Sequence, residues 1–141
     1  MVAVDTSVAI PLLLESHEAH DLVRGWATGR KLGLCGHALA ETYSVLTRLP
    51  GDARVEAHDA VSLIDGSFIE ILPLSPALAS DAHRVLAQLG IAGGATYDGL
   101  VALTARDHDV ALATRDARAR PTYERLGIEV ELISSSSESS R

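Results

Sequence analysis

The chain has 141 residues, 47% of them hydrophobic and 22% charged, a composition typical of one globular domain. Its net charge of −7 argues against simple electrostatic binding of nucleic acid, and its 4% aromatic content argues against an extended base-stacking platform. The longest apolar run is too short to span a bilayer, so we expect no membrane association. A single cysteine and no recognisable signal peptide predict a cytoplasmic protein.

Apolar runs and helix-period patterns alternate along the chain, and they predict its elements. In order, these are strand 2–4, helix 7–14, helix 16–29, strand 32–36, helix 37–49, helix 55–64, strand 68–72, helix 75–89, helix 96–108, strand 110–113, a short helix around Pro121 and strand 128–133. The alternation predicts an α/β fold of three layers, α/β/α, with a mostly parallel central sheet. One domain is expected to cover residues 1–133. The serine-rich tail, residues 134–141, is expected to be disordered or an addition from an expression vector.

Three local details follow from the same patterns. Pro11 is expected in the first turn of the first helix, because proline cannot donate a backbone hydrogen bond. Thr96 is expected to cap the helix that follows it. Leu39, Tyr43 and Leu46 recur at helical spacing, so we expect all three to face the core.

Four acids fall at corresponding places among the predicted elements. Asp5 follows the first strand, Asp116 follows the fourth, and Glu41 lies in the helix after the second. Asp98 lies in the first turn of its helix. The carboxyl ends of parallel strands meet at one edge of the sheet, so we predict that these side chains converge there. At ~5 Å and an effective dielectric constant of ~20, each pair of such charges repels by roughly 3 kcal/mol.

This repulsion predicts that the acids either stay partly protonated or share a hard divalent cation. Mg²⁺ and Mn²⁺ prefer oxygen ligands, keep several waters and also bind phosphate oxygens. Such a cation can activate a water and stabilise the charge that develops on a phosphodiester. The predicted chemistry is therefore metal-assisted phosphodiester hydrolysis, and no cluster of His or Cys at zinc spacing competes with it.

Four motifs stand in a fixed order along nearly the whole chain: Val4-Asp5-Thr6-Ser7, Glu41 in a helix, Tyr97-Asp98, and Thr114-Arg115-Asp116. In this order and spacing they resemble the PIN-domain ribonucleases, and most closely the VapC-like toxins of type II toxin–antitoxin pairs. The resemblance implies a Mg²⁺- or Mn²⁺-dependent endoribonuclease that cleaves RNA and forms a homodimer. It also implies a cognate antitoxin protein that inserts a peptide, often with an arginine, into the acidic site.

The resemblance also assigns roles to individual residues. Asp5 and Asp98 are the implied primary metal ligands, and two further acids complete the set of catalytic and metal-binding candidates, directly or through water: Glu41 and Asp116. Ser7 and Thr114 are expected to orient ligands or waters by hydrogen bonding. The implied products carry a 5′-phosphate and a 3′-hydroxyl, because water rather than the ribose hydroxyl attacks.

Each candidate also has an ordinary explanation. Asp5 and Asp116 could cap the helices that follow them, and Glu41 could be a solvated helix residue. Asp98 gains roughly 0.3–1 kcal/mol from the helix dipole without any metal. An arginine cluster beside the last acid could hold RNA phosphates or form a solvated helix face: Arg115, Arg118 and Arg120. Of the six histidines only His37, near Glu41, is of interest, and a structural or surface role is the better interpretation.

Two other functions are alternatives to a nuclease. An aspartate-nucleophile phosphatase needs a second acid two residues after the first and a late lysine. Here Ser7 occupies that position and Lys31 is the only lysine, so this class is rejected. The non-enzyme alternative is a catalytically silent PIN-like module that binds a partner protein.

Overall fold

The computed structural model describes residues 1–134. The disorder predicted for the tail, residues 134–141, falls on residues outside the described part, apart from Ser134. Five strands and seven α-helices follow one another in the described residues: β1 (Val2–Val4), α1 (Thr6–Leu13), α2 (His20–Ala27), β2 (Leu32–Cys35), α3 (Gly36–Arg48), a 3₁₀ turn (Gly51–Ala53), α4 (Ala57–Ser67), β3 (Glu70–Leu72), α5 (Pro76–Gln88), α6 (Ala95–Asp107), β4 (Ala111–Thr114), α7 (Arg120–Arg125) and β5 (Val130–Leu132).

The sheet has the strand order β3-β2-β1-β4-β5, and all four strand pairs are parallel. The seven helices of residues 1–134 flank it. The predicted three-layer α/β fold with a mostly parallel sheet is thus confirmed. The chain starts at the middle of the sheet, moves outward through β2 and β3, and then crosses back to β4. The order therefore reverses beside β1, and this is the place where open α/β sheets bind ligands.

The strands are short and almost wholly apolar because helices cover them. All four residues of β2 are buried, and Val4, Leu34 and Leu112 are 0% exposed. A sheet that is covered on both faces needs no alternation of polar and apolar residues, which explains the continuous apolar runs. No helix within residues 1–134 is long and apolar enough to cross a membrane.

The structure corrects the details of the first helix. Asp5 occupies its N-cap position, so the helix begins one residue earlier than predicted, and Pro11 lies inside the helix instead of in its first turn. The prediction assumed that a proline away from the first turn would end the helix. Here the helix runs only two residues beyond Pro11, and the proline ring is buried. The Pro11 carbonyl is within 2.8 Å of Nδ1 of His20, which joins α1 to α2.

Two further expectations about helices were wrong. Helix α6 begins at Ala95 with Gly94 at its N-cap, so Thr96 lies within the first turn and is not the cap. On α3 the predicted core face is wrong only in part: Leu46 is buried and Leu39 is partly buried against the core, whereas Tyr43 is 38% exposed. The residues that α3 buries are Ala38, Thr42 and Leu46. Periodicity predicted the helix but not the small residues Ala38 and Thr42, which contact Thr6 of α1.

Candidate active site

The predicted site lies outside the carboxyl ends of β1, β2 and β4. Val4 pairs with Leu34 on one side and with Ala113 on the other, so the three strands end at nearly the same level. Asp5 follows directly after Val4 at the centre of this edge. The loop after β4 and the start of α3 lie on either side of it.

Asp5 is the most buried acid of the site, with only 6% of its surface exposed. The Ser7 hydroxyl donates to its Oδ1 at 2.6 Å, and the Tyr123 hydroxyl donates to its Oδ2 at 2.7 Å. Asp5 occupies the N-cap position of α1, but its side chain makes no capping hydrogen bond of normal geometry. Helix capping therefore does not account for this carboxylate.

The environment of Asp5 favours its protonated form. Burial raises the pKa of Asp5 above its ordinary value, and the hydroxyls of Ser7, Thr114 and Tyr123 oppose that rise only in part. Burial and the Asp5 charge also raise the pKa of the Tyr123 hydroxyl, so it stays protonated and remains a donor. A buried carboxylate with fixed donors on both oxygens is oriented before any ligand arrives.

Ser7 and Thr114 form a hydrogen-bonded bridge between α1 and the loop after β4. Their hydroxyl oxygens are 3.2 Å apart, and the Arg115 backbone N–H donates to Ser7 Oγ at 2.8 Å. The Asp116 N–H donates to Thr114 Oγ1 at 3.0 Å. This bridge connects the strand-end loops that carry Asp5 and Asp116.

The pKa of Asp98 indicates that the four acids lie close enough together for their charges to interact. This pKa is raised first by burial and then by the negative charges of three other acids, while His37 lowers it. Those three acids are the predicted ones: Asp5, Asp116 and Glu41. An arrangement of this kind repels additional negative charge and attracts cations.

The two outer acids also make local contacts. The Thr6 hydroxyl donates to Oε1 of Glu41 at 2.8 Å, so this exposed carboxylate is tied to the start of α1. Asp116 accepts the Arg118 backbone N–H at 3.0 Å and lies 3.6 Å from its Nε, a turn-stabilising contact. Asp116 therefore stabilises a turn and does not cap the following helix, whose N-cap is Ala119.

The donors fit a hard divalent cation that keeps much of its water. Within residues 1–134, no three His, Cys, Asp or Glu side chains are grouped closely enough to hold a metal ion by themselves. Mg²⁺ is commonly bound by one or two carboxylates, with waters and substrate phosphates as its other ligands. An oxygen-only set that converges without closing into a cage suits this mode of binding.

The three arginines differ in their surroundings. The Arg118 side chain is 95% exposed beside Asp116, and Arg120 Nε contacts Glu124 at 3.0 Å. Arg115 Nε is buried and has no hydrogen-bond partner among the described residues. Arg115 is therefore the member of this cluster with unused donor capacity beside the acids.

Sequence reasoning gave no site role to Thr6 or Tyr123, the donors to Glu41 and Asp5. Thr6 belonged to the first motif, and its distance from Glu41 along the chain hid the contact. Tyr123 lies in a short helix that no motif marked, yet it is 1% exposed and carries the hydroxyl that Asp5 needs. One signal was available, since a tyrosine near the apolar run of β5 needs a partner for its hydroxyl when it is buried.

A parallel sheet whose order reverses beside a cluster of carboxylates defines a three-layer α/β protein with an acidic, cation-compatible site. Comparison with known proteins gives the family: the PIN domain matches residues 2–124. The chain belongs to the PIN-domain family, which confirms the resemblance predicted from its motifs. It is 57% identical over 129 residues to Ribonuclease VapC27 of Mycobacterium tuberculosis, covering 92% of this chain and 94% of that protein.

Solved structures agree on the fold. The Mycobacterium tuberculosis toxin VapC20, described as cleaving the sarcin–ricin loop, has a TM-score of 0.65 and 20% identity over 86% of this chain and 94% of its own. VapBC2 of Rickettsia felis, bound to a DNA fragment from its promoter, has a TM-score of 0.64 and 16% identity, with 95% and 100% of the two chains covered.

Removal of one charge from the acid cluster should stabilise the protein at neutral pH. The folded-state pKa of Asp98 lies above the ordinary value of an aspartate, so folding favours the protonated form. At pH 7 the ionised carboxylate opposes folding in full, and this effect is relieved as the pH falls through the folded-state pKa. We expect Asp98→Asn to melt about 3 °C above the parent at pH 7 in a chelating buffer. The difference should shrink toward pH 4.

Asp81→Asn is the matched control, because Asp81 is exposed and pairs with Arg84 on α5. It should show no gain in melting temperature. An Asp98→Asn protein that is less stable than the parent at pH 7 would contradict mutual repulsion among the acids.

Loss of the Tyr123 hydroxyl should destabilise the fold through Asp5. Tyr123→Phe leaves Oδ2 of a buried carboxylate without its donor, and we expect unfolding to become easier by about 1–3 kcal/mol at pH 7. Urea denaturation measures this change. The loss should be smaller at acidic pH, where Asp5 is protonated. Tyr43→Phe, at a 38% exposed position, is the control and should remain within about 0.5 kcal/mol of the parent.

Proposed function

We propose that this chain is a divalent-metal-dependent endoribonuclease that acts as the toxin of a toxin–antitoxin pair. Membership of the PIN-domain family and the close similarity to a protein named Ribonuclease VapC27 support the reaction. The observation that carries the proposal is electrostatic: three other acids raise the pKa of Asp98. A protein tolerates such a cluster where it has a cation to bind.

The chain's own residues would prepare the reaction in three ways. Ser7 and Tyr123 hold both oxygens of Asp5 in fixed directions, and α6 presents Asp98 opposite them. These two carboxylates are the proposed metal ligands, and Glu41 and Asp116 complete the negative pocket. When bound, Mg²⁺ or Mn²⁺ would supply Lewis-acid stabilisation of the phosphodiester and a more acidic water.

Water is the proposed nucleophile, so the products would carry a 5′-phosphate and a 3′-hydroxyl. The acids cannot attract the RNA backbone themselves, because both are negative. Of the three arginines, Arg115 is the one whose side chain pairs with no acid of residues 1–134, so we assign the phosphate contact to its guanidinium group. Arg118 and Arg120 would add weaker contacts, since each is already near an acid.

We further propose a homodimer, a cytoplasmic location and inhibition by a cognate antitoxin. An acidic pocket that holds a cation can also be filled by an arginine, which is the strongest protein mimic of bound positive charge. The VapBC2 structure, with TM-score 0.64, shares the fold and is named as bound to DNA from its own promoter. A buried free thiol, Cys35, is compatible with the reducing cytoplasm.

RNA cleavage in the presence of Mg²⁺ or Mn²⁺ tests the reaction. We expect cleavage that stops with a chelator, and at least about 100-fold slower cleavage for Asp5→Asn and Asp98→Asn because each removes a proposed metal ligand. End analysis of the fragments should find 5′-phosphates. Asp81→Asn removes an exposed acid on α5 and should cleave at the parental rate.

Variants at Asp5 and Asp98 that cleave as fast as the parent would overturn the assigned site. A folded parent protein that cleaves no RNA with either metal, yet still binds a partner protein, would instead identify the silent binding module.

Co-expression with the product of a small open reading frame directly upstream tests the toxin role. We expect the two proteins to purify together and cleavage to be inhibited, because a partner arginine would occupy the acidic pocket. Replacing that arginine with alanine should weaken inhibition by about tenfold or more. Without the partner, the chain should elute at twice its mass of 14.9 kDa. Inhibition that survives every arginine replacement would contradict an arginine in the pocket.

A further inference from the structure

Two aromatic rings stack beside the acidic pocket. The ring centroids of His37 and Tyr97 are 5.2 Å apart, and the ring planes are inclined by only 14°. His37 is half-buried near the start of α3, four residues before Glu41, and Tyr97 directly precedes Asp98 on α6. The stack therefore lies between two of the four acids.

Tyr97 is unusually exposed for a residue at such a position. Its surface is 59% accessible, more than that of Tyr43, while Tyr123 is buried at 1%. Within residues 1–134 its ring has one partner, His37, and no hydrogen bond holds its hydroxyl. Packing against the core thus does not explain the ring. What the arrangement provides is an aromatic face that is held in place on one side and open to solvent.

An open aromatic face beside the acidic pocket suits one kind of ligand. Unpaired nucleobases stack on tyrosine and histidine rings, and this contact is the main way in which proteins hold single-stranded RNA. Bases inside a duplex are already stacked and cannot reach such a ring. The charge of the protein matters less here, because a base is neutral and stacking does not depend on phosphate attraction.

On the basis of the proposed ribonuclease function, we propose that Tyr97 forms a base-binding subsite, on which an unpaired nucleotide next to the scissile phosphate stacks while His37 fixes the tyrosine ring. Tyr97 is adjacent in sequence to Asp98, a proposed metal ligand, so a nucleotide stacked on this ring would have its phosphate within reach of the acids. The substrate would then be a single-stranded segment or loop of RNA. Tyr97 would select unpaired RNA, and His37 would act as a positioning residue.

Fluorescence of a short oligouridine RNA that carries one 2-aminopurine tests the subsite directly. Ca²⁺ replaces Mg²⁺ so that binding is measured without dependence on cleavage. Stacking on Tyr97 should quench the 2-aminopurine emission in the parent protein. Tyr97→Ala should abolish the quenching and weaken binding about tenfold, the size expected for one lost base stack, whereas Tyr97→Phe should keep both. The same RNA annealed to its complement should not be quenched.

Tyr43→Ala is the matched control, because Tyr43 is exposed on α3 and lines a mostly apolar groove that includes none of the four site acids. It should bind and quench like the parent. Tyr97→Ala that binds and quenches like the parent, while Asp5→Asn still abolishes cleavage, would overturn the subsite and leave the proposed function intact. A parent protein that binds no RNA would overturn both. Tyr97→Ala that loses the antitoxin but not RNA would assign the ring to the protein partner and overturn the subsite.

Two substitutions at His37 separate positioning from a general structural role. His37→Ala should reduce both quenching and affinity by several-fold, and His37→Phe should restore both because it keeps a ring against Tyr97. Thermal melting of each variant checks that the fold is unchanged. Equal quenching in His37→Ala and the parent would show that Tyr97 needs no support from His37, and the proposed positioning role would be wrong.

Discussion

The fold of this protein is organised around a carboxylate that it has to bury. Asp5 directly follows the central strand and is almost completely buried. An isolated charge at that position would be very unfavourable. Two hydroxyls compensate for the lost water, one from Ser7 in the next helix and one from Tyr123, 118 positions away in the chain. The first strand and the last helix are therefore joined through one side chain.

This contact has its effect because of the sheet topology. Strand β1 lies between β2 and β4, so the loops that follow these strands flank Asp5 on both sides. The Ser7–Thr114 bridge fixes one of those loops, and the Thr6–Glu41 contact fixes the start of α3 on the other side. Acids that are far apart along the chain are brought together by backbone connections and hydroxyl groups rather than by charge, since their charges repel.

Much of this could be predicted from the sequence, and what could not has a physical reason. Continuous apolar runs with helices between them predicted the parallel sheet, and the acids that come after β1, β2 and β4 were predicted to lie at its carboxyl edge. Tyr123 was not predicted because a pairing across 118 positions leaves no local pattern. The buried face of α3 was predicted only in part: Leu46 is buried as expected, but hydrophobic periodicity did not indicate the small residues that contact α1. Ala38 and Thr42 are buried, whereas the larger Tyr43, which was predicted to be buried, is 38% exposed.

The exposed Tyr97 also changes how the composition is interpreted. Few aromatic residues and a net charge of −7 argue against a protein that binds RNA over a long surface. The exposed residues within 1–134 form no such surface. A nuclease with one acidic pocket needs less: one fixed phosphate and one fixed base define the position of a bond. A single stacked pair beside the acids would provide the base contact without adding positive charge, which would otherwise compete with the cation for the carboxylates. An acidic protein can on this basis act on an acidic polymer.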